Sequence, residues 1–195
     1  RHKLFLEVIK MNKVRLILLY TCIVFSANTV NASVSNLLAL TNNDLGKIKF
    51  HTEPKPLNFA TFENITGEKV TISDFKGKFI LLNFWALWCA PCVEEMPALD
   101  NLKMLLNDKS FDVIAVATGR NDKSKVNNFF ETNNLTFLSQ FFDSKSVFSR
   151  KLNIAVLPTT LMIDFKGREV GRVEGTLVWD SMESQKLFKE WIKIQ

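Results

Sequence analysis

The stretch Leu82-Asn83-Phe84-Trp85-Ala86-Leu87-Trp88-Cys89-Ala90-Pro91-Cys92-Val93-Glu94-Glu95-Met96-Pro97 joins a strand-like run to a helix-like one across two cysteines. The run Phe79 to Trp85 is apolar but for Asn83 and of strand length, as expected of a strand buried on both faces of a partly parallel sheet. Downstream, Val93, Met96, Leu99, Leu102 and Leu106 recur at steps of three and four, predicting an amphipathic helix that starts at the cysteine pair and is kinked at Pro97. At such a junction the unpaired backbone N–H groups and the positive end of the helix dipole favour a thiolate. Cys89, nearer the N-terminus and more exposed, is the expected nucleophile. Cys92, one turn further in, is the expected resolving thiol, which attacks the mixed disulfide that Cys89 forms with a partner.

Working outward, Phe111 to Thr118 is a second buried strand. It is followed by a helix (about 122–133), a short strand (about 135–138) and another helix (about 145–153). Thr159 to Asp164 and Arg168 to Glu174 form a hairpin across Phe165-Lys166-Gly167, with glycine where a left-handed residue is wanted. A last helix, about 183–194, puts Leu187, Phe188, Trp191 and Ile192 on one face. Upstream, Phe59 to Glu63 and Lys69 to Ile72 read as an edge hairpin turning near Gly67. The order is β-α-β, an inserted α-β-α, then β-β-α, an α/β class with helices on a central mixed sheet. Phe129, Phe130, Phe141 and Phe142 read as packing, and Lys123, Lys125, Lys186 and Lys189 as solvated helix faces.

Composition bounds the function. With 47% hydrophobic and 23% charged residues and only 7 Gly and 5 Pro, the 195-residue chain is globular and suits one domain. The net charge of +5 is concentrated at the start: after residue 32 there remain 20 basic and 19 acidic residues, which removes the electrostatic support for a nucleic-acid partner. Residues 1–10 precede Met11 and are not necessarily translated; residues 11–32 read as a secretory signal. Lys13 and Arg15 lead an apolar run from Leu16 to Ala27, with Val30-Asn31-Ala32 before a cleavage point at Ser33. An uncleaved membrane anchor is the competing reading, but the run is about 12 residues against the roughly 20 of a spanning helix. Residues 33–49 read as a mobile lead-in to a domain over 50–195.

Cysteine usage agrees with export. Cys22 would leave with the signal, so Cys89 and Cys92 remain. They are too few for a disulfide framework, and with His51 the one histidine left there is no zinc set, so a redox pair is expected and no metal.

The segment Leu82 to Pro97 resembles the active-site region of the thioredoxin superfamily, and within it the TlpA/ResA branch of bacterial thiol–disulfide interchange proteins; the likeness runs from about Pro56 to Ile194. The resemblance implies a thioredoxin fold and a redox-active Cys89–Cys92 disulfide with no other cofactor. It implies that Pro158, in Val156-Leu157-Pro158-Thr159-Thr160, is the cis-proline facing the cysteines, exposing the Leu157 backbone for strand-like pairing with a substrate peptide; read alone, Pro158 is an ordinary trans proline opening a strand. Trp88, Ala90 and Pro91 would complete the contact surface, Trp88 as an apolar contact for partners, while Trp85 reads equally as core. Cytoplasmic thioredoxins have a buried Asp where this chain has Asn83. Glu95 instead matches the branch's glutamate near the buried cysteine, where burial would raise its pKa into a useful range. The alternative is a solvated first-turn acid like Glu94.

The implied activity is reduction of disulfides in exported cysteine-containing proteins, such as copper-delivery or cytochrome-maturation partners, in the periplasm or anchored to the inner membrane facing it. A membrane electron donor of the thiol-transport type would supply the electrons. The Ala90-Pro91 dipeptide offers no histidine to stabilise the thiolate, which argues for a reducing couple. The alternatives are a disulfide oxidase or isomerase, and a redox-inactive module holding a peptide or chaperone in the groove at Pro158; peptide holding would not require two thiols.

Overall fold

In the computed structural model, residues 40–41, 43–57 and 61–194 are described. The signal region with Cys22, residues 33–39 and 42 of the lead-in and the first residues of the edge hairpin, Phe59 included, lie outside them. Residues 41–193 form one compact unit.

The apolar runs build the middle of its sheet. β1 is Lys49–Pro56, β2 Thr61–Asn64, β3 Lys69–Thr71 and β4 Phe79–Trp85. Helix α1, Ala90–Leu106, leads to β5, Phe111–Thr118; then come α2, Lys123–Thr132, β6, Ser139–Asp143, and α3, Val147–Lys151. β7, Thr159–Ile163, and β8, Arg168–Glu174, form the closing hairpin, and α4, Met182–Ile192, ends the unit. The eight strands run in the order β1-β8-β7-β4-β5-β6-β2-β3. β4 is parallel to β5 and antiparallel to β7, so the sheet is mixed and β4 is flanked on both sides.

Alternation along β4 sorts its side chains. Ile80, Leu82 and Phe84 join Phe62, Ile114, Val116, Phe148, Leu161 and Ile163 in one core cluster. Phe79, Leu81, Asn83 and Trp85 take the opposite face, where Phe79 meets Trp191 of α4 and Trp85 meets Phe129 and Phe130 of α2. This alternation turns Asn83 towards α1. The inward stripe of α1 is Cys92, Glu95, Met96, Leu99 and Leu102, at steps of three and four. The helix continues through Pro97, which costs the bond its N–H would make to Val93.

Three expectations are corrected. The folded unit begins before Phe50: a 3-10 turn, Asn43–Lys47, buries Leu45 and is followed by buried Ile48. Lys49–Pro56 is then an edge strand paired with β8, unpredicted because Pro54 and Pro56 break the strand pattern. The short strand is 139–143, not 135–138, because Asp100 of α1 takes the N–H groups of Phe137 and Leu138 at 2.9 and 2.8 Å and holds Leu135 and Leu138 in a buried turn. Finally α3 is shorter than expected. Asp143 caps its start, accepting from the backbone N–H groups of Phe148 and Ser149.

Candidate active site

The site lies where β4 ends. Leu87 N–H donates to Asn121 Oδ1 at 2.9 Å, and Asn121 in turn donates to Thr118 O, so the β4–α1 loop is tied to the end of β5. Cys89 N–H donates to Ala86 O at 3.1 Å, and Cys89 O accepts from Val93 N–H, making Cys89 the N-cap residue of α1. Pro91 sits in the first helical turn, where its missing N–H costs nothing.

Cys89 and Cys92 form a disulfide with Cα atoms 5.3 Å apart. Cys89 keeps 6% of its surface exposed and Cys92 none, so an incoming thiolate reaches Cys89 first. Trp88 is 67% exposed beside it, and Ala90 and Pro91 are exposed too. The Leu157–Pro158 peptide bond is cis. Phe84 is in register with Thr159, which puts Pro158 at the same end of the sheet as Cys89. Thr159 Oγ1 donates to Val156 O and Pro158 O accepts from Gly175 N–H, fixing the turn from both sides. Leu157 is half-buried against the core cluster.

Glu95 is buried, unlike its exposed neighbour Glu94. Its Oε1 accepts from Asn83 Nδ2 and its Oε2 from Trp179 Nε1, each at 2.9 Å. Asn83 Nδ2 also donates to Thr160 Oγ1 at 2.9 Å, while its Oδ1 is buried with no hydrogen-bond partner. Burial pushes the Glu95 carboxyl up to about 7, against the pull of the Trp179, Asn83 and Leu177 donors. A carboxyl that exchanges its proton near neutrality thus lies one turn beyond Cys92 on the same helix face.

Sequence reasoning missed Trp179. It is a lone aromatic in Thr176-Leu177-Val178-Trp179-Asp180, with no periodicity to mark it, and only the tertiary structure brings it to Glu95. Trp85, 1% exposed, and Phe130 are core, and Phe129 is half-buried against Trp85. Among the described residues no group of three or more His, Cys, Asp and Glu is placed to hold a metal ion.

A mixed sheet with a cysteine pair at the strand-to-helix junction and a cis-proline at the same end defines a thioredoxin-fold dithiol protein. The Redoxin family model matches residues 55–185, and the chain belongs to that family of thiol–disulfide oxidoreductases. It is 40% identical over 129 residues to the thioredoxin-like protein YneN of Bacillus subtilis, covering 65% of this chain and 74% of that protein. It is 31% identical over 126 residues to the thiol–disulfide oxidoreductase ResA of Bacillus thuringiensis, covering 65% of this chain and 71% of ResA. A secreted thiol–disulfide isomerase from Corynebacterium glutamicum shares the fold at 19% identity, with a TM-score of 0.63 over 76% of this chain and 91% of that one.

Proposed function

We propose that the protein is an extracytoplasmic protein-disulfide reductase, held in the periplasm or on the periplasmic face of the inner membrane, with Cys89, Cys92 and Glu95 as its reacting groups. The observation that carries the reading is Glu95: a buried carboxyl titrating near neutrality one turn beyond the buried cysteine.

In the reduced protein the Cys89 thiolate attacks one sulfur of a partner's disulfide. A Cys89–partner bond forms, the partner's S–S bond breaks, and the second partner sulfur leaves as a thiolate. Cys92 then gives its proton to the Glu95 carboxylate and attacks Cys89 Sγ; the Cys89–Cys92 disulfide closes as the Cys89–partner bond breaks, and the two partner thiolates take one proton from Glu95 and one from water, leaving the partner as a dithiol. Two electrons pass to the partner, and a donor dithiol must return them. Trp88, Ala90, Pro91 and the Leu157–Pro158 backbone form the surface a partner segment lies against, no cofactor beyond the disulfide being needed. Partners of this chemistry are exported cysteine-containing proteins, such as those that deliver copper or mature cytochromes. The donor is a membrane protein of the thiol-transport type.

Support for the reducing direction comes from Ala90-Pro91, which places no cation beside the Cys89 sulfur. The test is the reduction potential of the couple, read from tryptophan fluorescence of the protein equilibrated in glutathione buffers. A value near or below about −220 mV supports a reductase; one near about −120 mV marks an oxidant and overturns the reading.

A further inference from the structure

The two side chains that donate to Glu95 are not equivalent. The Asn83 amide can donate or accept, and its Oδ1 is free to take a proton-bearing oxygen if the amide turns over. The Trp179 indole can only donate, so it favours the ionised carboxyl in every state of the site. Trp179 is fully buried and stacked on Phe188, with ring centroids 6.1 Å apart.

The loop bearing Trp179 is braced from elsewhere in the chain. Asp44 Oδ2 accepts from Val178 N–H at 3.0 Å, and Lys47 Nζ donates to Thr176 O at 3.1 Å, while Asp44 and Lys47 pair with each other at 2.5 Å. From the other side Ser184 Oγ donates to Val178 O at 2.6 Å. The brace and the loop face α1 across a groove of about 300 Å³ whose lining includes Asp44, Lys47, Glu94, Glu95 and Thr176.

We propose that Trp179, held by the Asp44–Lys47 turn through residues 176–178, is a positioning residue that sets the proton affinity of Glu95. The inference rests on the reading of Glu95 as the proton-handling group. The groups facing that carboxyl are few. Cys92 and Glu94 share its helix, and Asp44 and Lys47 lie across the groove, already paired. β4 offers Asn83 and, behind it, β7 offers Thr160; the loop offers Leu177 N–H and Trp179. None of these last four titrates near neutrality. The indole is thus the donor whose loss has a fixed sign: the carboxyl holds its proton to higher pH.

The test is the pH profile of insulin-disulfide reduction by the full-length reduced protein and three variants. Glu95→Gln should remove the acid limb. Trp179→Phe should move its midpoint up by roughly one pH unit, the worth of one hydrogen bond to a charged group. The double variant Asp44→Ala/Lys47→Ala, which removes the brace without changing net charge, should move it the same way by less. A Trp179→Phe profile with lower rates but the wild-type midpoint would make Trp179 packing alone and overturn the inference while leaving Glu95 in its role. An acid limb that survives Glu95→Gln would instead sink the role of Glu95, and the inference with it. Should circular dichroism show Trp179→Phe unfolded, the surface variant Asp44→Ala/Lys47→Ala decides, and an unchanged midpoint there refutes the brace.

Discussion

Replacing Glu95 by glutamine should stabilise the oxidised protein, and only above a defined pH. With the disulfide intact, burial raises the carboxyl from 4.5 to about 7, so between those values the folded chain keeps a proton that the unfolded chain releases. Stability of the wild type is therefore fully present below 4.5 and falls as pH rises through the folded value of about 7. The gap between the two values corresponds to about 3 kcal/mol. The glutamine side chain would be neutral throughout. Its Oε1 can accept from Trp179, and its amide N–H groups can meet the unpartnered Asn83 Oδ1 once that amide turns over. The variant's advantage should thus grow by about 3 kcal/mol between the acid end of that window and about pH 8, most of it between about pH 5 and 7.5. Guanidinium unfolding of both oxidised proteins across this range measures it directly. Parallel curves, with a constant difference, would mean that Glu95 titrates as an ordinary surface acid and that its burial has no electrostatic cost.

The remaining predictions concern chemistry and folding. Cys89→Ser should abolish disulfide reduction and Cys92→Ser should accumulate a covalent adduct with the partner, visible on a non-reducing gel; adducts from the Cys89 variant would reverse the assigned roles. Trp88→Ala removes a largely exposed ring, so the melting temperature should barely move while reaction with protein disulfides slows more than reaction with small ones. Asp143→Ala strips the acceptor from Phe148 N–H, Ser149 N–H and Thr118 Oγ1 and should cost roughly 2–4 kcal/mol in chemical denaturation. A loss under about 0.5 kcal/mol would mean that water replaces the carboxylate.

What could be read from the sequence follows from how locally each feature is determined. β4, β5 and α1 are marked by their own residues: continuous apolar runs and a three-and-four stripe have few other uses. Glu95 lies three residues after Cys92, one helical turn along, so spacing puts it within reach of the site but leaves a solvated first-turn acid as the alternative; burial against β4 decides it. Its cradle was not legible, because Asn83 lies 12 residues away and Trp179 lies 84 residues away. β1 escaped notice for a related reason. It has two prolines and mostly exposed side chains, and what makes it a strand is the edge of β8. Leu135 to Leu138 looked like a strand because of its apolar residues, until Asp100 claimed the backbone donors that a ladder would use.

The pairing of β1 with β8 also fixes an order of assembly. The hairpin of β2 and β3 can close as soon as its dozen or so residues exist, but Lys49 must wait for Arg172, and Asp44 for Val178, 134 positions later. The segment 43–56, synthesised before every other described strand and helix, is therefore among the last to dock. Until it does, β8 presents an open edge and the Trp179 loop lacks its brace. A chain caught at that stage would be sticky along one strand, with the indole donor to Glu95 not yet held, and finished only when residues 43–56 dock.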